Sequence, residues 1–454
     1  MVKNLALSVL LLLALLFHLY KLDIGFNFNH DQQITALASY DFFKFQKISL
    51  IGQELSFQGF FLGPLHSWIS FIPYGLCNLK PDCVPYFFAA IGLFTALILY
   101  LVSKKIFGAK TSLIVTFIYT FSFVTLDWER GASSNYFLFL SSLGLLYCLY
   151  NYFGGKNKYL LIGSFLAGVA AVNFNPVFIF SSLAFLLTSL LRSGRSPKIY
   201  LLSFALYLSN YLPLVIFNFR HNNLLLNSIL KFAEQNVGEI DYAFKVAALA
   251  RTLIYFISNY LFQSANILFV IFTLALLAIA VRKIFKSQSR FLSYFPIWIL
   301  IVFLGFIFYR GHIPDYYFIQ IILPSIVLIA FALRKNFLLF LIFVVSFAFT
   351  NINRLHSYEN STGYKVKKEA INYVIKDTAE NSFNVYFDMP PGANTGYAYL
   401  FKAHDREPVE GGKNLYILEL VDPWRFNLAK YKRSFPDKTL NTKTFSFLHV
   451  ISIK

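Results

Sequence analysis

Charge is scarce in this sequence. Asp, Glu, Lys and Arg make up 14% of its 454 residues, where a soluble domain carries about a quarter. An ordinary water-soluble fold is therefore excluded. Of the two signs, the acidic is the scarcer: 22 Asp and Glu stand against 40 Lys and Arg, a net charge of +18. The basic residues fall in short clusters between apolar runs and not on one soluble face, which excludes a nucleic-acid partner. Cysteine is nearly absent, with three residues, and nothing in their spacing suggests a metal site. Cys148 lies inside an apolar run as packing. Cys77 and Cys83 flank a short polar loop, where spacing leaves a disulfide and two free thiols equally open. The sequence also lacks a Gly-rich phosphate loop and an internal repeat.

Apolar and aromatic residues fill the space. The chain is 57% hydrophobic, with 54 Phe and 29 Tyr. Several apolar runs reach the roughly 17–25 residues that cross a bilayer. We expect an α-helical polytopic membrane protein of about eleven spans, near 4–20, 84–103, 111–127, 135–153, 159–173, 175–191, 199–218, 266–283, 291–309, 315–333 and 337–352. With the N-terminus cytoplasmic, Lys104–Lys110, Lys156–Lys158, Arg192–Lys198, Arg282–Arg290 and Arg334–Lys335 all fall inside. The first run follows Lys3 and ends in the bulky Phe17–Lys21, so it is expected to stay as a span and not to be cleaved. Phe244–Phe262 carries Lys245 and Arg251 at helical spacing and is expected to lie on the outer surface. Phe60–Leu79, broken by Gly63-Pro64 and Pro73-Tyr74-Gly75, is expected to be a surface or re-entrant segment.

The expected plan is a membrane domain over 1–353, with outer loops 21–83 and 219–265, and an extracytoplasmic α/β domain over 354–454. In the latter, Lys365–Thr378 reads as a helix, Phe383–Asp388, Leu415–Leu420 and Phe445–Ile453 as strands, and Pro390-Pro391-Gly392 as a turn.

Ionisable residues at span ends are costly and so are functional candidates. Asp31, in the polar stretch Asn27–Gln33 after the first span, can act as a general base or a metal ligand; an N-cap or a solvated loop residue reads equally from the spacing. Asp127, Glu129 and Arg130 flank Trp128 on a second outer loop, where an interfacial Trp anchor with flanking charges gives the same pattern. His66 follows Gly63-Pro64-Leu65 and suits phosphate binding or a short helix cap. Arg310 and His312 sit on the outer side before Asp315-Tyr316-Tyr317. Like Arg251, they suit an anionic group, or snorkelling at a helix end.

In this order, the Asp31 loop, Gly63–Leu65, the Asp127–Arg130 loop leading into Asn135–Leu140, and Asp315–Tyr317 leading to Leu323-Pro324 resemble the GT-C type membrane glycosyltransferases. The layout is most similar to the protein-mannosyltransferase and aminoarabinose-transferase group, family 39. That resemblance implies a hexosyl- or pentosyltransferase of the cell membrane, using a sugar on a polyprenyl phosphate and inverting its anomeric centre. The acceptor would be a protein, a lipid or a surface glycan. Asp31 would be the base, with Arg310, His312, His66, Arg251, Arg130 and Tyr316 toward the donor phosphate. Members often carry Asp-Glu where this chain has Asp31-Gln32, so Asp127 or Glu129 would supply the second carboxylate. A divalent cation, with Asp31 as its ligand, is left open. Two other classes fit the composition. A transporter of lipid-linked sugars would place its charges at mid-membrane in repeated halves, and a non-catalytic scaffold would keep the layout without the chemistry.

Overall fold

The computed structural model describes residues 2–55, 58–192, 197–235, 242–287, 289–309, 311 and 313–454. Apolar runs become helices throughout. Five described helices are long and apolar enough to cross a membrane: Pro81–Phe107, Ser134–Phe153, Ile267–Ser287, Asp315–Leu333 and Phe337–Ser357. Counting two bent pairs as single spans brings the number to seven. Four shorter apolar helices, Leu5–Leu19, Lys158–Asn173, Pro176–Ser189 and Tyr294–Phe308, fall on runs expected as spans.

A helix apolar all round belongs at the centre. Ile322–Leu333 meets that condition, and every one of its residues is buried. Phe337–Ser357 instead exposes Phe337, Leu338, Leu341, Val345 and Phe349 along one side, the surface that lipid would cover. Tyr242–Phe262 departs from the expected surface helix. Phe256, Ile257, Tyr260, Leu261 and Phe262 are buried, so its apolar C-terminal half lies inside the bundle while Phe244 and Arg251 stay exposed.

One break in the bundle aims residues at the site. Ala109–Phe121 and Phe123–Arg130 meet at Ser122 with a bend of 53°. Away from water, the backbone groups freed by a break need partners. Here Asn351 Oδ1 accepts from the Phe123 amide at 2.7 Å while its Nδ2 donates to the Leu261 carbonyl at 2.8 Å. Ser122 Oγ donates to the Tyr260 carbonyl at 2.7 Å.

The C-terminal region folds as expected, with one correction. The helix is Tyr364–Thr378, β1 is Phe383–Asp388 and β2 is Asn414–Leu420. The expected strand Phe445–Ile453 is instead the end of one strand and the whole of another, β3 Leu440–Phe445 and β4 Leu448–Ile453. Between them Ser446 takes φ 56°, so Ser446-Phe447 forms a two-residue hairpin loop. The sheet order is β1-β2-β4-β3, with β1 parallel to β2 and the other pairs antiparallel. β4 is buried along its whole length, and the β3 edge presents Lys443, a charge that discourages further strand pairing.

Cys77 and Cys83 form a disulfide, and Cys148 is free and buried.

Candidate active site

Asp31 lies in the first turn of the helix His30–Phe45, where a carboxylate is stabilised by the unpaired amides and the helix dipole. Asn29 caps this helix in a capping box with Gln32. The Asn29 amide donates to Gln32 Oε1 at 3.0 Å, and Gln32 Nε2 donates to the Gly131 carbonyl. Gln32 thus needs an acceptor and a donor together. A carboxylate would supply only the first, which explains the amide beside Asp31.

The flanking residues are tied down in turn. The Asn27 amide donates to the Arg130 carbonyl at 3.2 Å. Asn360 Nδ2 donates to Asn27 Oδ1 at 2.7 Å, and the Gly396 amide donates to Gln33 Oε1 at 2.8 Å. Gly396 has φ +90°, and a Cβ there would strike the Phe28 carbonyl. Phe26 and Phe28 are fully buried against the rings of Tyr364 and Tyr399.

His30 and Asp31 are left facing a cavity of about 620 Å³. Gln53 Nε2 donates to Asp31 Oδ1 at 2.6 Å. Burial raises the Asp31 carboxyl above its ordinary value, with Gln53 and His30 pulling it part of the way back. Glu54 also lines the cavity, and its Oε1 accepts from the Gly59 amide at 2.7 Å. The segment bearing Gln53 and Glu54 folds back on itself. The Gly52 amide donates to the Leu62 carbonyl at 2.7 Å, and the Leu62 amide to the Gln53 carbonyl at 2.9 Å. Gly63 then ties to the end of Lys158–Asn173, its amide donating to the Val172 carbonyl at 2.8 Å. A Cβ on Gly63 would strike Asn173 Oδ1, which accounts for the glycine.

Ser133, Ser134, Asn135 and Asn175 form another wall. Asn175 Nδ2 donates to Asn135 Oδ1 at 2.7 Å and Ser134 Oγ to the Phe174 carbonyl at 3.0 Å. Trp128, Tyr309, Tyr316 and Tyr317 supply aromatic faces. Trp128 stacks on Phe256 with centroids 6.1 Å apart. Flat aromatic and amide surfaces of this kind suit a pyranose ring, which offers C–H faces and hydroxyls together.

Of the residues given a catalytic or donor-binding role from sequence, Asp31 and Tyr316 line this cavity. Glu129 is fully buried elsewhere, paired with His18 Nδ1 at 2.8 Å and accepting from the Tyr136 hydroxyl at 3.1 Å. Asp127 hydrogen-bonds with Tyr358, in the field of Arg130 and Arg354. Arg130 is fully buried, donates to the Tyr20 carbonyl and lies 5.9 Å over the Tyr358 ring. His66 sits between the rings of Phe88 and Phe137, at 6.2 and 6.0 Å. Burial pushes its imidazole down to about 4, so it is neutral at neutral pH. Arg251 lines a separate cavity of about 600 Å³ with Asp315, Thr252 and Asn259. Arg310 and His312 lie outside the described residues. Among the described residues that line the Asp31 cavity, none is Lys or Arg. Lys245 donates to the backbone carbonyl of Tyr309, a residue that lines the cavity. Sequence reading missed Gln53, Glu54, Asn135, Asn175 and Lys245 as site residues. The signal for Gln53, Glu54, Asn135 and Asn175 was polarity beside apolar runs, and Lys245 showed only as a charge on a helix, Tyr242–Phe262, expected on the outer surface.

Residues 62–217 match the family described as dolichyl-phosphate-mannose-protein mannosyltransferase. A protein of Aquifex aeolicus (strain VF5) described as uncharacterized is 31% identical over 111 residues, 24% of this chain. That match spans 22% of the Aquifex protein's own length. The whole chain superposes on ArnT from Cupriavidus metallidurans in the apo state, at a TM-score of 0.64 and 11% identity, covering 98% of that protein. The same protein bound to undecaprenyl phosphate matches at 0.61 and 12%, over 98% of this chain and 97% of that one. The Archaeoglobus fulgidus oligosaccharyltransferase, in complex with Zn and sulfate, matches at 0.50 and 14% over 88% of this chain and 62% of its own. The resemblance to GT-C type membrane glycosyltransferases therefore holds, over the fold of the whole chain and, by family, over residues 62–217.

Proposed function

We propose that this protein transfers a sugar from a polyprenyl-phosphate donor to an acceptor outside the cytoplasmic membrane, with Asp31 as general base. The observation that carries the reading is the placement of Asp31. Its carboxylate faces a cavity at the end of an apolar bundle, held on one oxygen by Gln53 and raised in pKa by burial. A raised carboxyl is the better base. The related fold bound to undecaprenyl phosphate, and the family match to an enzyme described by its dolichyl-phosphate-mannose donor, support the donor class.

In the reaction Asp31 takes the proton of an acceptor hydroxyl or amine. The acceptor atom bonds to the anomeric carbon from the face opposite the phosphate. The bond from that carbon to the phosphate oxygen breaks, and polyprenyl phosphate leaves with the electron pair. Charge grows on the phosphate, so cations at that end accelerate the step. Lys245, bonded to the Tyr309 carbonyl, and Arg310, next after Tyr309 in sequence, are assigned that role, with His30 and His312 as hydrogen-bonding groups toward the phosphate. Glu54 is assigned the second-carboxylate role, orienting sugar hydroxyls. Among the described residues no group of three or more His, Cys, Asp and Glu side chains is placed to hold a metal ion, so a divalent cation at Asp31 is left to the test and carries no step. The acceptor class is a protein, lipid or surface glycan, and the sugar a hexose or pentose.

The test is sugar transfer by the full chain in nanodiscs, from polyprenyl-phosphate sugars beginning with dolichyl-phosphate mannose, with and without added Mn²⁺. Loss of turnover in Asp31→Asn, with the protein still folded, upholds the reading. Turnover that survives the substitution overturns Asp31 as base.

A further inference from the structure

A lysine of the C-terminal region reaches the Asp31 segment. Lys367, on the helix Tyr364–Thr378, is 1% exposed. Its ammonium donates to the Phe28 carbonyl at 2.8 Å, to Asn29 Oδ1 at 3.0 Å and to the Thr395 carbonyl at 2.8 Å. An ammonium has three N–H donors, so all are used. None of these acceptors is a carboxylate, and the nearby ring is Tyr397, at 5.1 Å.

For stability alone this is a costly arrangement. A buried cation without an anion is disfavoured. It also stands at the N-terminal end of the helix His30–Phe45, where the dipole favours negative charge. Burial accordingly pulls the ammonium down to about 8. Two of its three acceptors belong to the two residues immediately before His30-Asp31, and one is the side chain that caps their helix.

We propose that Lys367 is a positioning residue for Asp31: it fixes the Phe28-Asn29 backbone and the Asn29 cap, so that the first helical turn holds His30 and Asp31 toward the cavity. The inference rests on the function proposed above. Lys367 touches no substrate and acts through Asn29 and the backbone. Small displacements of a reacting group are expensive, with about 1 Å costing on the order of a hundredfold in rate.

The experiment uses the full chain in nanodiscs with dolichyl-phosphate mannose as donor probe, and compares wild type with Lys367→Met, Asn29→Ala and the double variant. Lys367→Met is expected to lower kcat on the order of tenfold to a hundredfold, with the donor KM within about twofold of wild type. Lys367→Arg, which keeps charge and donors, is expected to recover most of that loss. The double variant is expected to fall no further than the worse single one, because both act through one contact. Hydrogen exchange over residues 26–35 gives a readout independent of turnover, and exchange there is expected to be faster in Lys367→Met. Unchanged exchange overturns the clamp. Faster exchange with unchanged kcat, or additive losses in the double variant, overturns the positioning role. A wild type that transfers from no donor in the panel overturns the functional reading and the catalytic part of this proposal. Asn29→Ala tests the same contact should Lys367→Met fail to fold.

Discussion

Asp31 and Glu129 are two carboxylates that sequence reading assigned to one reaction centre, and the fold gives them opposite surroundings. Asp31 is partly exposed in a cavity and holds one amide partner. Glu129 is sealed, with His18 and Tyr136 on the same oxygen. The first arrangement leaves room for a proton and a reactant. The second ties the first span to the helix Phe123–Arg130. The difference teaches that a carboxylate at a span end is read by its open face and not by its position alone.

Asp31→Asn should produce the largest effect. General-base loss costs about 10² to 10⁴ in kcat, measured as transfer from the donor panel. Stability should move the other way. The folded pKa of Asp31 lies above its unfolded value of 3.8, so its ionised form costs the folded state stability. That cost is absent below the unfolded pKa and grows as pH rises through the window up to the raised folded value. At neutral pH the variant should therefore melt no lower than wild type; a clearly lower melting temperature would give Asp31 a structural role instead.

Glu129→Ala should invert that pattern. Removing one partner of a buried pair costs about 3 kcal/mol or more, read from unfolding in mixed micelles. Turnover per folded molecule should stay within about threefold of wild type, since Glu129 is assigned no part in the reaction. A collapse of turnover without loss of stability would erase the contrast between the two carboxylates.

Gln32→Glu is the smallest and sharpest change. It keeps the acceptor for the Asn29 amide and loses the donor to Gly131, at a cost of about 1–3 kcal/mol for the unpaired carbonyl. Protonating the new carboxyl restores a donor. The defect in turnover relative to wild type should shrink as pH falls and widen as it rises; a defect independent of pH would detach Gln32 from the Gly131 contact.

Asp31 stood out in the sequence because it lies in a polar cluster, Asn27–Gln33, after the first apolar run, and the fold puts it on the cavity wall. The helix Tyr364–Thr378 and strands β1 and β2 were legible from their periodicity. Helical geometry explains what happened at Asp127-Trp128-Glu129. Successive residues point about 100° apart, so the three could not share one face, and the face toward the cavity belongs to Trp128. Gln53 and Glu54 sit in a segment without helical or strand period, and only the folding back of Gly52 on Leu62 brings them to Asp31. The hairpin at Ser446-Phe447 lacked the Gly or Asn that usually marks such a turn.

The bend at Ser122 carries a consequence for the order of events during synthesis. The Phe123 amide meets its partner only when Asn351 has emerged and inserted, and the Asn27–Gln33 segment meets Asn360, Lys367 and Gly396 later still. The Asn27–Gln33 segment thus waits for partners synthesised long after it. Until those later residues are made, a nascent chain holds Asp31 without the contacts that fix the segment around it.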